Sequence, residues 1–138
     1  MSFANPDDAT LRSLLVPGAT IAVVGLSPKP ERPSHVVARA MQRFGFRIIP
    51  VRPGIDSVLG EKAYATLADV PFAIDIVDVF RAAAHVPAIV DAALAVHSRA
   101  IWLQEGIVDP VAAQRARDAG MTVVMDRCLY KEYVRLFT

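Results

Sequence analysis

Thr20-Ile21-Ala22-Val23-Val24-Gly25-Leu26-Ser27-Pro28-Lys29-Pro30-Glu31-Arg32-Pro33-Ser34 and the ten residues after it, ending at Phe44, decide the fold. The first five residues are continuously apolar or β-branched rather than alternating, as in a strand covered on both faces. Gly25 and three prolines then punctuate a loop. From Ser34 to Phe44 apolar residues recur at Val36, Val37, Ala40, Met41 and Phe44, with Arg39, Gln42 and Arg43 pointing away and Gly45 as the stop. That spacing predicts an amphipathic helix.

The same unit recurs on both sides. Asn5-Pro6-Asp7-Asp8 reads as a helix start, with Asn5 as cap and a helix to about Leu15. Downstream come strand Arg47 to Val51, a turn at Arg52-Pro53-Gly54, a short edge strand at Glu61 to Tyr64 and a single turn at Thr66 to Val70. Strand Ile74 to Phe80, a helix from His85 to His97 and strand Ala100 to Leu103 follow. A helix from Pro110 to Ala119 (capped by Asp109), strand Thr122 to Met125 and a last helix carrying Leu129, Tyr133, Leu136 and Phe137 complete the chain. Strands alternating with helices predict a doubly wound, mainly parallel Rossmann-like α/β sheet with helices on both faces, one domain over residues 1–138. Ligands of such folds bind beyond the carboxyl ends of the strands, where strand order reverses. Here that crevice is expected between the first strand and the one ending at Phe80.

Composition narrows the function. The 138 residues are 54% hydrophobic and 21% charged, which excludes a disordered chain. Fifteen basic and fourteen acidic residues give a net charge of +1, against a dedicated nucleic-acid binder. Cys128 is the only cysteine, so no intramolecular disulfide or cysteine-rich zinc site can form. No run approaches the roughly 18 apolar residues of a membrane span. The first residues, Met1 to Asp8, are acidic where a signal peptide would be basic and then apolar. The expectation is a soluble, cytoplasmic domain.

The first loop occupies the position of the dinucleotide fingerprint but lacks two of its glycines, with Ser27 and Pro30 in their places. The second strand ends in Val51-Arg52, where an NAD site would have a carboxylate for the ribose hydroxyls. From Ser27 to Arg52 six basic residues (Lys29, Arg32, Arg39, Arg43, Arg47, Arg52) face only Glu31, whereas the next 28 residues carry five acids and only Lys62. Lys29, Arg32 and Arg52 lie on ligand-facing loops and read as phosphate contacts; Arg39, Arg43 and Arg47 read as solvated surface. An adenine nucleotide with an extra phosphate is favoured, and both NADP(H) and coenzyme A qualify.

Six strings in the same order then resemble a known family: Val24-Gly25-Leu26-Ser27, Arg32-Pro33-Ser34, Ile49 to Pro53, Asp75 to Arg81, Trp102 to Ile107, and Met125 to Leu129. The chain is similar to the small stand-alone coenzyme A-binding proteins, whose Rossmann-like domain is also the amino-terminal part of the succinyl-CoA synthetase alpha subunit. The resemblance implies CoA or acyl-CoA across the carboxyl ends of the strands. Gly25, Ser27, Arg32 and Ser34 would sit by the phosphates, and Pro50, Val51 and Arg52 would approach the adenosine. Val79, Phe80 and Arg81 would wall the nucleotide, and Gln104, Gly106 and Ile107 would border the pantetheine. The chain departs from the family after Arg81, where Ala82-Ala83 replace a further polar residue.

Candidate chemistry is sparse. Asp75 and Asp78, three positions apart on one strand, point to opposite faces and read as partners of backbone N–H groups rather than a catalytic pair. Glu105 reads as a loop-ordering residue. His35 reads as a surface residue of a first helical turn, and His85 and His97 as surface residues bracketing one helix. Trp102 reads as core. Cys128 follows Arg127 and opens the last helix, a setting that favours a thiolate and raises a mixed disulfide with the CoA thiol beside the plainer role of a small buried residue. Tyr130 and Lys131, adjacent on a helix, diverge by about 100° and cannot serve together in hydride transfer. The expectation is a binding, regulatory or carrier module rather than an enzyme in its own right. The rivals are an NADP-dependent oxidoreductase and a subunit of an acyl-CoA-forming ligase. A homo-oligomer or a ligase partner chain remains open.

Overall fold

The computed structural model describes residues 3–138, so Met1 and Ser2, part of the acidic start noted above, lie outside the described residues. In order the elements are α1 (Asp8–Leu14), β1 (Thr20–Val24), α2 (Pro33–Arg43), β2 (Arg47–Val51), β3 (Ser57–Val58), β4 (Glu61–Lys62), β5 (Ile76–Val79), α3 (Val86–Ala95), β6 (Ala100–Leu103), α4 (Pro110–Asp118), β7 (Thr122–Val124) and α5 (Leu129–Phe137). Five strands form one parallel sheet in the order β2-β1-β5-β6-β7. After β2 the chain returns across β1 to start β5 on its other side, so strand order reverses between β1 and β5, as expected. The β3–β4 hairpin leads to Tyr64, whose backbone extends the edge of β2: its N–H donates to the Pro50 carbonyl at 3.0 Å and its carbonyl accepts from Arg52 N–H at 2.8 Å.

Both faces of the sheet are covered. On one, α1, α2 and α5 set Leu11, Leu14, Met41, Leu129 and Leu136 against Ile21, Val23, Ile48, Ile76 and Trp102. On the other, α3 and α4 pack Val86, Val90, Ala93, Ala113 and Ala116 against Ala22, Ile49, Val77 and Ile101. This double cover is why β1, β5 and β6 are buried at every position and lack polar alternation. Trp102, wholly buried, satisfies its indole by donating to the Arg127 carbonyl at 2.9 Å.

Several details differ from the sequence reading. Asp7, not Asn5, caps α1 by accepting from Thr10 N–H at 2.9 Å. Asn5 instead bonds the far end of the chain: its amide donates to the Met125 carbonyl at 2.9 Å and accepts from Met125 N–H at 2.8 Å. The buried face of α2 is Ser34, His35, Val37, Ala38 and Met41, while Val36 is exposed. The strand expected over 74–80 is regular only from Ile76 to Val79. The helix expected over 85–97 runs from Val86 to Ala95 after a 3₁₀ turn at Ala83–His85. His85 and His97 are exposed, and Asp109 caps α4 through Ala112 N–H, as read.

Asp75 accepts from Thr20 N–H at 2.8 Å, tying β5 to β1 as its position suggested. Asp78 corrects the companion expectation. It is fully buried, and neither carboxyl oxygen has a hydrogen-bond partner among the described residues. Register places it in one row with Pro50, Val23, Trp102 and Val124, on the face covered by α2 and α5. Burial pushes its pKa well above the ordinary carboxylate value, which favours the neutral acid in the folded protein. The unfolded chain ionises Asp78 near the ordinary carboxylate value, so above that pH folding must take up a proton. Asp78's contribution to stability is therefore full below the unfolded value and is lost as pH rises toward the folded one. Asp78→Asn removes that dependence. Thermal unfolding from pH 4 to pH 8 is expected to show the variant gaining on the wild type steadily as pH rises; a constant difference would show Asp78 ionised in the fold.

Candidate functional site

At the point of strand reversal, beyond the carboxyl ends of β1, β5 and β6, lies an open cavity of about 650 Å³. That size lies within the range of small-molecule sites. Its floor begins with Gly25, which leaves β1 at φ +88°. A Cβ there would stand 2.7 Å from the Phe80 carbonyl oxygen and 3.0 Å from Arg81 Cδ, so only glycine lets the two exit loops pass this closely.

The loop after Gly25 is fixed by its own polar groups. Ser27 N–H donates to Ser34 Oγ at 2.9 Å, Lys29 N–H donates to Ser27 Oγ at 3.1 Å, and His35 Nδ1 lies 2.9 Å from the Ser27 carbonyl. A carbonyl only accepts, so Nδ1 carries the proton. His35 is therefore a buried staple of this loop, not the surface residue its position suggested. Ser27 replaces the fingerprint's second glycine, and the bonds it makes hold the loop in place of glycine's conformational freedom.

The loop delivers the start of α2 to the cavity. Pro33 opens that helix and no side chain caps it. The N–H groups of Ser34 and His35, in the first turn, have no helical carbonyl within reach and mark the positive end of the helix dipole. Around this end stand Lys29, Arg32, Arg52 and Arg81. Among the described residues none of the four forms an ion pair, whereas Arg115, Arg127, Lys131 and Arg135 all do. Arg81 Nη2 donates instead to His85 Nε2 at 3.2 Å. The one carboxylate on the wall, Glu105, is held by Lys131 at 3.0 Å; that hydrogen bond raises the ammonium's pKa. The cavity thus carries concentrated, uncompensated positive charge beside free helix-start amides, a combination that suits several phosphate groups.

Of the residues singled out from sequence, Gly25, Ser27, Lys29, Arg32, Ser34, Arg52, Phe80, Arg81, Gln104 and Ile107 share this wall. Pro50, Val51, Val79 and Gly106 do not. Pro50 and Val79 are buried in the sheet, and Val51 faces a second, apolar cavity of about 210 Å³ on the other side, bordered by Arg81 and His85. Gly106 is exposed in the turn after β6, where its N–H donates to Asp126 Oδ1 at 2.8 Å. Arg39, Arg43 and Arg47 stay off the wall; Arg47 stacks on Phe72 at 3.7 Å. Pro28, Pro33, Val37 and Ala82 join the wall, although the sequence reading assigned none of them a ligand contact. Val37 was within reach of the sequence, since it follows Ser34 by three residues and so shares its helical face.

A doubly wound Rossmann-like sheet with a cationic cavity at its switch point defines the class of protein. Comparison with known proteins supplies the rest: the chain matches the CoA binding domain model over residues 19–134 and belongs to that family. An uncharacterized protein of Bacillus subtilis (strain 168), YneT, is 42% identical over 125 residues, 91% of this chain and 93% of its own. A solved Thermus thermophilus structure is 39% identical with a TM-score of 0.91, over 96% of this chain and 100% of that one. The dinucleotide-forming acetyl-coenzyme A synthetase 1 of Ca. Korarchaeum cryptofilum, in complex with phosphate and ADP, shares the fold at a TM-score of 0.70 and 22% identity. That likeness covers 85% of this chain and 27% of the synthetase. Among the described residues no helix is long and apolar enough to cross a membrane.

Gly25→Ala tests the close approach on which the site is built. A side chain at this positive φ, pressed against the Phe80 carbonyl, is expected to cost about 1–3 kcal/mol, read as a lowered urea midpoint at unchanged slope.

Proposed function

We propose that residues 1–138 form one binding unit for coenzyme A or an acyl-CoA, acting as a carrier or regulatory module rather than as a catalyst on its own. The observation that carries this reading is the group of four cations, Lys29, Arg32, Arg52 and Arg81, that have no ion pair among the described residues and line the cavity at the start of α2. Coenzyme A has a pyrophosphate and a 3′-phosphate, enough anionic oxygen to engage both the helix-start amides and the guanidinium groups. Membership of the CoA binding domain family favours it over NADP. In this reading the pyrophosphate lies against Ser27, Arg32 and Ser34, the adenosine lies toward Arg52, and the pantetheine runs past Phe80 to Gln104 and Ile107. A cytoplasmic setting agrees with the single unpaired thiol.

A second reading, that the chain serves as the CoA-holding part of an acyl-CoA-forming ligase completed by another chain, draws support from the fold it shares with the acetyl-coenzyme A synthetase. A larger ligase subunit recovered with the protein from its own cells would favour it.

Calorimetric titration with CoA, dephospho-CoA, NADP and NAD tests the principal reading. CoA is expected to bind most tightly, and loss of its 3′-phosphate to weaken binding. Arg32→Ala and Arg52→Ala should each reduce affinity about tenfold, the effect of losing one charge-assisted hydrogen bond. Tighter binding of NADP than of CoA would overturn the proposal.

A further inference from the structure

Part of the cavity wall comes from the segment that follows β6 and from the residue that starts α5, and there the chemistry changes. Cys128 lies on this wall beside Gln104 and Ile107. It is the N-cap residue of α5, its side chain makes no capping hydrogen bond, and the thiol is largely buried at the edge of the core under α2 and α5, with 8% of the residue exposed. Gln104 is only 5% exposed and its Oε1 accepts from Leu129 N–H at 3.1 Å, which fixes the amide. The amide nitrogen has no partner among the described residues, yet it is not sealed in the interior. On a residue that lines the cavity, that leaves two N–H donors without a protein partner. A thiol, an amide donor and the apolar Ile107 match the far end of a pantetheine arm, which presents amide carbonyls, methylenes and sulfur.

We propose that Cys128 exchanges with the disulfide form of coenzyme A and so captures one CoA covalently. The inference rests on the CoA-binding reading above. The Cys128 thiolate attacks one sulfur of the CoA disulfide, forming a bond between Sγ and the pantetheine sulfur. The original sulfur–sulfur bond breaks, and its electron pair leaves on the second CoA as a thiolate, which takes up the proton that Cys128 gave up. The CoA disulfide is the only oxidant required. Selectivity comes from binding, since phosphates seated near Arg32 and Ser34 hold the disulfide at high effective concentration beside the sulfur. Cys128 is the only cysteine in the chain, so no neighbouring thiol can resolve the adduct, which persists until an external thiol attacks it.

Intact-mass measurement of the wild-type protein with CoA disulfide, and separately with glutathione disulfide, reads the reaction. The expected result is one CoA per chain, mapped to Cys128, formed at least about tenfold faster than the glutathione adduct. It should be removed by dithiothreitol, slowed by excess adenosine 3′,5′-bisphosphate, and absent in Cys128→Ser. Titration of the wild type with reduced CoA under reductant is the parallel measurement. CoA binding without an adduct overturns the covalent step and leaves the binding reading intact. Equal rates for the two disulfides, or indifference to the bisphosphate, overturn it as well. Absence of CoA binding removes both.

Discussion

Between the ends of β1 and β5 the chain leaves no room for a side chain: the backbone of Gly25 passes so close to the Phe80 carbonyl that a single added carbon would collide with it. That passage brings the two exit loops together where strand order reverses, and the remaining features of the cavity follow from it. The loop after Gly25 can then bend back over α2, where Ser34 and His35 bind it to the helix they start. Pinning the loop to the helix aims the first-turn amides across the sheet ends. Arg81, next to the same carbonyl, is carried into the space the two loops frame.

Electrostatics divides the protein into two regimes. Away from the cavity some basic groups are matched: Arg135 lies between Asp8 and Glu132, Arg115 pairs with Asp91, and Lys131 with Glu105. Such exposed pairs contribute little to stability. On the cavity wall, among the described residues, the one carboxylate, Glu105, is engaged by Lys131, and four cations stand without ion pairs. Their mutual repulsion in the free protein is relieved when anionic oxygen arrives, so part of any ligand's affinity would come from ending an unfavourable arrangement as well as from new contacts.

Much of this architecture was legible in the residues. Thr20 to Val24, Arg47 to Val51 and Ala100 to Leu103 were read to the residue, because strands covered on both faces must be apolar throughout and end where turn residues begin. The face of α2 was misread because His35 counts as polar in any periodicity, whereas the Ser27 carbonyl makes its burial affordable. Asn5 and Asp7 are both competent caps. What separates them is Met125, far along the chain, and no local pattern contains that competition. Within the cavity, parity decided the outcome. Val51 and Val79 pair with Val24 on the α3–α4 side, while Gly25, Phe80 and Gln104, one position beyond the strand ends, line the cavity. The unpartnered carboxyl of Asp78 has no sequence signal at all.

Parallel sheets have two edges whose open backbone groups invite pairing with another molecule. Here each edge is occupied at its carboxyl end by the chain itself: Tyr64 runs alongside β2, and the side-chain amide of Asn5 fits the Met125 peptide as a second peptide would. A side chain thus imitates one rung of a neighbouring strand. Removing the Asn5 side chain would therefore unmask the end of β7 as a template on which a second molecule could begin to stack.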